Sequence, residues 1–172
     1  MEFLELAKAR YSCRKLSDKP VEPEKVARIL EAAVAAPTAK NVQPYKIWKV
    51  TSAEALEKVQ QIAKFPFVQQ SKVILIVGTK ADGAFTRPFD NKNYAEIDGS
   101  IVATHLMLAV QAEGLGTTWV GYFDAPKLQE LIPEMAGYEL IALFPIGYPA
   151  DDAKPAPRHF ERRAISEAVA EI

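Results

Sequence analysis

A predicted helix over residues 95–113 has hardly any polar face, and this feature narrows the range of possible folds more than any other. Its apolar side chains occur all round the helical period: Ile97, Ile101, Val102, Leu106, Leu108, Ala109 and Val110. A helix of this kind is buried, either at the centre of a domain or against a second subunit. Within it we interpret His105 as a hydrogen-bonded core residue rather than a catalytic base. Gly114-Leu-Gly116 is predicted to end the helix with a left-handed cap.

Further strands and helices alternate along the chain. The β-branched run over residues 73–78 predicts a strand covered on both faces. Other strands are predicted over 46–50, 117–123 and 140–148, where Pro145 indicates an edge or a bulge. Helices are predicted over 2–9, from Pro23 to a stop at Pro37, from a capping box at Thr51-x-x-Glu54 to Ala63, after the cap Asp124, and over 164–172. These elements predict an α+β fold or mixed α/β layers.

Two segments lack a regular period. Residues 80–93 contain Gly83, Pro88 and several charges, which predicts an exposed loop or lid. After Pro149 the chain becomes polar and basic, which predicts an arm that runs along the surface or embraces a partner. We therefore predict a single domain over residues 1–150 and a C-terminal arm over residues 151–172.

Length and composition exclude several classes of protein. The 172 residues suit one core, and 21 Lys and Arg against 22 Asp and Glu leave no basic field for a general nucleic-acid binder. The apolar runs are far shorter than the ~20 residues of a membrane span, and the N-terminus lacks a secretory signal. One Cys and two His argue against disulfide and metal scaffolds. We expect a cytoplasmic protein with no nucleic-acid or membrane partner.

Most arginines lie near the two ends of the chain, which has Arg10, Arg14, Arg28, Arg87, Arg158, Arg162 and Arg163. In Arg10-Tyr-Ser-Cys-Arg14, an extended backbone would point residues 10, 12 and 14 to one side. Two guanidinium groups and a hydroxyl would then face a single phosphate or carboxylate. An exposed basic turn is the alternative that this pattern leaves open.

Two further segments are candidate binding sites. In Pro37-Thr-Ala-Lys-Asn-Val-Gln-Pro44, the side chains of Thr38, Asn41 and Gln43 can bond to the polar edge of a heterocycle, and two prolines restrict the loop. In Gly114-Leu-Gly-Thr-Thr-Trp-Val-Gly121, three glycines allow a flat ligand to approach the backbone closely. An ordinary helix–strand connection and a helix cap remain the respective alternatives.

The absence of common catalytic motifs is also informative. The sequence contains no dinucleotide-binding fingerprint, P-loop, serine nucleophile elbow or zinc-protease motif. Nothing in it resembles a dedicated acid–base pair. Any reaction is therefore expected to be performed by a bound cofactor that the protein positions.

Four segments, taken in order, resemble the FMN-dependent nitroreductase family, specifically its shorter members. Arg10-Tyr-Ser-Cys-Arg14 is similar to the family's R-x-S-x-R opening, and Ala36-Pro-Thr-Ala-Lys-Asn-Val-Gln-Pro-Tyr45 to its A-P-[ST]-x-x-N-x-Q-P-aromatic loop. Asp98-Gly together with Gly114-Leu-Gly-Thr-Thr-Trp119 is similar to its D-x-G and GLG-x-x-W core. Phe144-Pro-Ile-Gly-Tyr-Pro149 and an arginine-bearing tail complete the resemblance.

The resemblance implies a fold, an assembly and a reaction. The fold would be α+β, with a central, mainly antiparallel sheet flanked by helices, in an intertwined homodimer with FMN at the subunit interface. The reaction would be that of an NAD(P)H-dependent oxidoreductase, in which hydride passes through the flavin N5 to a nitroaromatic, a quinone or a similar acceptor by ping-pong kinetics. The alternatives are other flavin chemistry, such as flavin fragmentation or dehalogenation, a non-enzymatic FMN binder, and a phosphate-recognising module without flavin.

By the same resemblance, the first motif would hold the FMN phosphate, with Tyr11 where many relatives carry a second Arg or a His. The tail would add an arginine: alignment on the last helix favours Arg162, whereas the distance from Pro149 favours Arg158. The second motif would flank the isoalloxazine ring, and backbone near Val120 would pass the flavin N5. The residues implied at the cofactor are Arg10, Tyr11, Ser12, Arg14, Pro37, Thr38, Ala39, Asn41, Gln43, Val120, Gly121, Arg158 and Arg162. No catalytic side chain and no metal ligand is implied.

Overall fold

The computed structural model of the chain describes residues 2–172, so Met1, the first residue of the predicted domain, lies outside it. Within residues 2–172 the strands are β1 (Tyr45–Val50), β2 (Val73–Thr79), β3 (Thr86–Arg87), β4 (Lys92–Asn93) and β5 (Glu139–Ile146). The helices in the same range are α1 (Phe3–Ala9), α2 (Pro23–Val34), α3 (Ala53–Ile62), α4 (Pro66–Gln70), α5 (Ala95–Ala112), α6 (Ala125–Leu131) and α7 (Ile165–Ala168). Short 3₁₀ turns cover Ala39–Asn41, Pro133–Met135 and Pro157–His159.

The centre of the fold is a three-stranded antiparallel sheet in the order β1-β2-β5. Side chains of the middle strand alternate between its two faces, as strand geometry requires. Leu75 and Val77 pack on α2 and α5, whereas Ile74 and Ile76 pack on α3, α4 and α6. The predicted α+β class and the prediction that β2 is covered on both faces are therefore confirmed.

A bulge in β5 changes which of its side chains face the helices on each side of the sheet. Gly78 pairs with Leu140 while Val77 pairs with Ala142, so Ile141 is an extra residue without a partner on β2. Because one inserted residue shifts the alternation by one, Leu140 joins the layer of α3 and Ile141 packs toward α5. The bulge lies here and not at Pro145.

Two irregular segments extend the sheet beyond β5. Gly116 and Val120 bridge to Gly147 and Leu143, and Ser12 bridges in parallel to Thr117. Alternation points the backbone nitrogen of Pro145 to the same edge as those of Leu143 and Gly147, and a proline has no N–H to donate there. The predicted continuous strand over 117–123 is therefore wrong: isolated bridges replace it because the partner strand lacks a donor between them.

Helix α5 has two unequal sides. One side packs on the sheet and includes Val102, Leu106 and Val110. The other side forms an apolar groove of about 560 Å³ with Phe3 of α1, lined also by Glu96, Ile97, Ser100, Ile101, Thr104, His105 and Leu108. The interpretation of His105 as a hydrogen-bonded core residue is wrong: it is half-buried in this groove, and within residues 2–172 its ring has no hydrogen-bond partner. In a single chain, one face of the apolar helix thus stays uncovered.

Several predicted local features are confirmed and others need correction. Gly114 has φ +72° and ends α5, and the Asp124 carboxylate accepts the Lys127 N–H to cap α6. The cap of α3 is Ser52, whose hydroxyl accepts the Ala55 N–H, and not Thr51. The predicted C-terminal helix over 164–172 is wrong in its length, because only Ile165–Ala168 is helical.

The predicted loop over residues 80–93 contains a small hairpin of β3 and β4. Its strands are two residues each, too short for any periodicity to appear in the sequence. Side chains hold it: Arg87 pairs with Asp90, and Asn93 donates to Thr86 Oγ1 at 3.1 Å. The hairpin is thus specified by polar contacts and not by an apolar pattern.

The segment after Pro149 lies on the surface, and most of its residues are exposed. Lys15 pairs with Asp152, and the Ala150 N–H donates to the Lys15 carbonyl at 3.1 Å, so the start of the segment is joined to the N-terminal part of the chain. The boundary between a domain and an arm at residue 150 stays a prediction. Across residues 2–172, no helix combines the length and apolar character that a bilayer crossing requires.

Replacing Gly99 by Ala is expected to destabilise the fold. A Cβ at this position of α5 would clash with Thr79 Cγ2 and lie 3.3 Å from Ile141 Cγ1. A clash this close puts the cost of overpacking in the upper part of its usual range, about 2–3 kcal/mol, against about 1 kcal/mol that Ala gains over Gly in a helix. We expect Gly99→Ala to lower the free energy of unfolding by roughly 1–2 kcal/mol in urea titrations. The neighbouring Ser100→Ala, which adds no atom, should stay within about 0.5 kcal/mol. A Gly99→Ala protein as stable as the wild type would contradict this close packing.

Candidate functional site

Four arginines from the two ends of the chain line one small cavity. Its volume is about 220 Å³, and its wall consists of Arg10, Ser12, Arg14, Ala156, Arg158, His159 and Arg162. The structure thus brings Arg10, Ser12 and Arg14 together with both candidate tail arginines. Which of Arg158 and Arg162 binds a phosphate stays a prediction. Arg163 is not part of the wall. His159 is a member that the sequence analysis missed, and its position next to Arg158 was the one available signal.

Backbone pairing determines which side chains of residues 10–14 face the cavity. Arg10 follows α1 in an extended conformation, and the Cys13 N–H donates to the Thr117 carbonyl at 2.9 Å. Alternation then turns Cys13 into the core, where it is 1% exposed, and leaves residues 10, 12 and 14 on the cavity side. The prediction that these three share one side agrees with this arrangement.

The cavity carries a concentrated positive charge. Within residues 2–172, none of its four arginines forms an ion pair with a carboxylate, whereas Arg28 pairs with Glu113 and Arg87 with Asp90. Burial lowers the pKa of Arg10, and the nearby positive charge of Arg162 lowers it further. Guanidinium groups form paired, charge-assisted hydrogen bonds to phosphate and carboxylate oxygens. The arrangement is therefore suited to a small anion with several oxygens.

Tyr11 lies beside this cavity and not in its wall. Its ring packs edge-on against His159, with centroids 6.4 Å apart. Burial raises the pKa of Tyr11 to about 12, and the neighbouring Cys13 contributes in the same direction. The phenol therefore stays neutral at ordinary pH and adds no negative charge next to the arginines.

The second predicted segment forms a loop with an unusual backbone. Lys40, Asn41 and Gln43 have φ of 52°, 55° and 55°, in the left-handed region that residues other than glycine rarely adopt. Each such residue costs on the order of 1–3 kcal/mol, and such conformations cluster at binding and active sites. Within the loop, the Gln43 N–H donates to Thr38 Oγ1 at 3.1 Å and the Gln43 amide donates to Asn41 Oδ1 at 3.1 Å.

Asp98 connects this loop to the core. Its Oδ1 accepts the Ala39 N–H at 2.9 Å, although the two residues are far apart in the sequence. Asp98 belongs to one of the motifs in the sequence, but nothing in that motif predicts this contact. Pro37 lies just before the loop and is exposed.

The third predicted segment is divided between the sheet edge and a separate cleft. Both backbone groups of Val120 are bonded to Leu143, at 3.0 Å in each direction. Gly121 is exposed and lines a cleft of about 550 Å³ with Ile62, Lys64, Phe65, Tyr122, Phe123 and Asp124. The wall of the arginine cavity contains neither Gly121 nor Pro37, and the loop over residues 38–43 is not part of it either. Across residues 2–172, no group of three or more His, Cys, Asp or Glu side chains could hold a metal ion.

The chain is similar in sequence and in structure to proteins whose family is known. Residues 7–65 and 63–148 match the model of the nitroreductase family. A crystal structure of a nitroreductase family protein from Clostridium difficile 630 is 35% identical, superposes with a TM-score of 0.88, and is covered over 98% of its length by 99% of this chain. A protein of Methanothermobacter thermautotrophicus that carries the provisional name NADH dehydrogenase/NAD(P)H nitroreductase is 29% identical over 88% of this chain and 80% of its own length.

A more distant structure shares the fold. It is described as oxidised iodotyrosine deiodinase bound to FMN and 3-iodo-L-tyrosine, and its TM-score to this chain is 0.78. Sequence identity is 19%, and the match covers 95% of this chain and 96% of that one. The two proteins therefore have the same architecture.

Inorganic pyrophosphate is expected to stabilise the protein by filling the arginine cavity. At about ten times its Kd it would add about 1.4 kcal/mol, which corresponds to a rise in Tm of roughly 3–5 °C for a chain of this size. Arg162→Ala should remove more than half of this shift in a thermal melt, because it deletes one guanidinium of the wall. Arg163→Ala is the matched control and should retain the shift. An equal loss in both variants would mean that pyrophosphate responds to general tail charge and not to this cavity.

Proposed function

The chain belongs to the nitroreductase family, and we propose that it is an NAD(P)H-dependent oxidoreductase with FMN as its cofactor. The observation that carries the proposal is the cavity in which Arg10, Arg14, Arg158 and Arg162 gather without a carboxylate partner in the described chain. A phosphate monoester near neutral pH carries the negative charge and the oxygen acceptors that complement these guanidinium groups.

The residues present fit FMN at both of its ends. On the phosphate side, a hydrogen bond to a charged group contributes about 1.5–3 kcal/mol, so two or three of them supply much of the ~8 kcal/mol of a micromolar complex. On the ring side, Thr38, Asn41 and Gln43 offer amide and hydroxyl groups that match the polar edge of a heterocycle. The left-handed backbone of this loop is the kind of strained conformation that binding sites retain.

Bound FMN supplies the redox chemistry, in which reducing equivalents from NAD(P)H are passed on to a second substrate in alternating half-reactions. The protein's own part is to bind and orient. The arginine cavity fixes the phosphate, and the loop from Thr38 to Gln43 flanks the ring. Positive charge and amide donors at the ring stabilise negative charge that develops there. No side chain of this chain is required as a general acid or base.

The cleft at Gly121 supports an aromatic acceptor as the second substrate. Phe65 and Phe67 stack with centroids 5.3 Å apart, and Phe65 meets the ring of Tyr122 edge-on at 6.4 Å. Tyr122 is 86% exposed, so its face is open to a ligand. Flat aromatic molecules such as nitroaromatics and quinones gain from contact with such rings. The distant likeness to a deiodinase makes reductive dehalogenation the second candidate function.

A homodimer is part of the proposal. The apolar groove of α5 includes Phe3, which is 70% exposed, and Ile97, which is 37% exposed. Exposed apolar side chains also occur in the C-terminal segment, at Phe160 and Ile165. A second copy of the chain would cover these surfaces and bring its own loops to the site, so that each FMN contacts both chains. Exposed apolar side chains that line one groove, as those of Phe3 and Ile97 do, are typical of an interface.

The first test is cofactor binding. The purified chain, loaded with FMN, should show flavin absorbance between about 350 and 500 nm, and Arg14→Ala should weaken FMN binding at least about tenfold by fluorescence titration. Arg28→Ala is the control, because Arg28 is bonded to Glu113 at 2.8 and 2.7 Å and lies outside the cavity. Equal affinities in the two variants would remove Arg14 from the phosphate site, and a wild type that ignores added FMN would refute the proposal.

The same preparation separates the candidate reactions. Steady oxidation of NADPH or NADH in the presence of a nitroaromatic or a quinone supports the reductase. Turnover with 3-iodotyrosine and not with these acceptors supports dehalogenation. A flavin that binds but never oxidises NAD(P)H supports a non-enzymatic FMN binder.

The second test is the assembly. The wild type should sediment as a dimer at micromolar concentration, and Ile97→Glu should shift it toward the monomer, because a carboxylate would be buried without a partner in the groove. Glu57→Lys, on the exposed face of α3 across the sheet, should stay dimeric. A monomeric wild type would contradict the proposed assembly.

A further inference from the structure

Asp98 is the only buried aspartate or glutamate within residues 2–172, with 1% of its surface exposed. It lies in the first turn of α5. Its Oδ1 accepts the Ala39 N–H at 2.9 Å, whereas its Oδ2 has no hydrogen-bond partner in the described part of the chain. A buried carboxylate with one unbonded oxygen is costly, so its retention calls for a reason beyond packing.

Ala39 directly precedes the left-handed residues of the loop, which are Lys40, Asn41 and Gln43. A backbone in this region persists only where its surroundings hold it. Within residues 2–172, the bond from Ala39 to Asp98 is the one hydrogen bond that joins residues 38–43 to the core, since the other hydrogen bonds of these residues are internal. The loop is also held by a cation–π contact of Lys40 with Phe85 and, just after its end, by the bond from the Lys80 N–H to the Pro44 carbonyl. The bond to Asp98 is the one that lies directly before the left-handed residues.

We propose that Asp98 is a positioning residue: it holds the loop of residues 38–43 in the left-handed conformation that faces the ring of the cofactor. The inference rests on the proposed function for the identity of that ring. Asp98 is not part of the wall of the arginine cavity. It therefore acts on the ring side of the site alone, through the Ala39 amide.

A residue that only stabilises α5 would behave differently from a positioning residue. Loss of helix stability would weaken every ligand of the folded state in the same proportion. Loss of the anchor would instead weaken a ligand that needs the loop and spare one that needs only the arginines. FMN requires both parts of the site, and inorganic pyrophosphate requires the arginines alone.

The experiment measures both ligands on the full chain with three variants. Asp98→Ala should weaken FMN binding at least about tenfold and leave pyrophosphate binding within about twofold, because only the loop loses its acceptor. Asp98→Asn keeps an oxygen for the Ala39 N–H and should restore FMN binding to within about threefold. Thr79→Val is the matched control. It is equally buried, its Oγ1 is also unbonded in the described residues, and it packs beside Gly99 with no hydrogen bond to residues 38–43.

Unchanged FMN affinity in Asp98→Ala overturns the proposal, and so does an equal loss for FMN and pyrophosphate. Should Asp98→Ala fail to fold, amide hydrogen exchange of the wild type and of Asp98→Asn decides the question. The Ala39 amide should be protected in both, and an unprotected Ala39 amide in the wild type overturns the proposal. A wild type that binds pyrophosphate but not FMN refutes the proposed function, while protection at Ala39 still reports whether the anchor exists.

Discussion

Backbone hydrogen bonds between distant segments at the free edge of β5 determine how this molecule is assembled. The Cys13 N–H donates to Thr117 at 2.9 Å, and the Ser17 N–H donates to Tyr148 at 2.8 Å. These bonds hold the N-terminal segment along the last part of the sheet, next to the point where the chain leaves β5. Because the C-terminal segment starts there, its arginines come within reach of Arg10 and Arg14. The candidate site is thus a consequence of strand-like pairing at one edge.

The positive charge of the arginine cavity destabilises the folded protein and favours the binding of an anion. Four like-charged guanidinium groups lie close together, and burial together with the charge of Arg162 lowers the pKa of Arg10. The left-handed loop and the half-bonded Asp98 add further unfavourable contributions at the other candidate segment. Natural proteins keep such local conflicts mainly at functional sites. Arg10, Arg14, the left-handed loop and Asp98 lie within the residues that match the nitroreductase family, whereas Arg158 and Arg162 lie beyond them.

Features with local signals could be predicted from the sequence. The β-branched run of β2, the left-handed cap at Gly114 and the Asp124 cap of α6 are each determined by a few neighbouring residues, and the structure has all three. Strand alternation likewise anticipated that Arg10, Ser12 and Arg14 share one side. The roles of these residues toward a cofactor stay predictions.

Features that depend on distant contacts could not be predicted. The bulge at Ile141 reverses the facing of one strand end because of how β5 meets β2, which no periodicity in β5 itself encodes. His159 joins the cavity through the path of the arm. The bond between Ala39 and Asp98 spans 59 positions of sequence, and neither residue type signals it. For the same reason, the sequence could not show whether the outward face of α5 packs in the core or against a second subunit, since an apolar surface does not identify its partner.

The arginine cavity consists of residues from both ends of the chain, so the order of synthesis determines when it can form. A ribosome that has just added Arg14 must translate nearly 150 further codons before Arg162 exists, which takes on the order of 10 s at typical elongation rates. Throughout that interval Arg10 and Arg14 lack the arginines of the C-terminal segment. The sheet edge on which the N-terminal segment pairs is also incomplete. The arginine cavity is therefore among the last parts of the molecule to form.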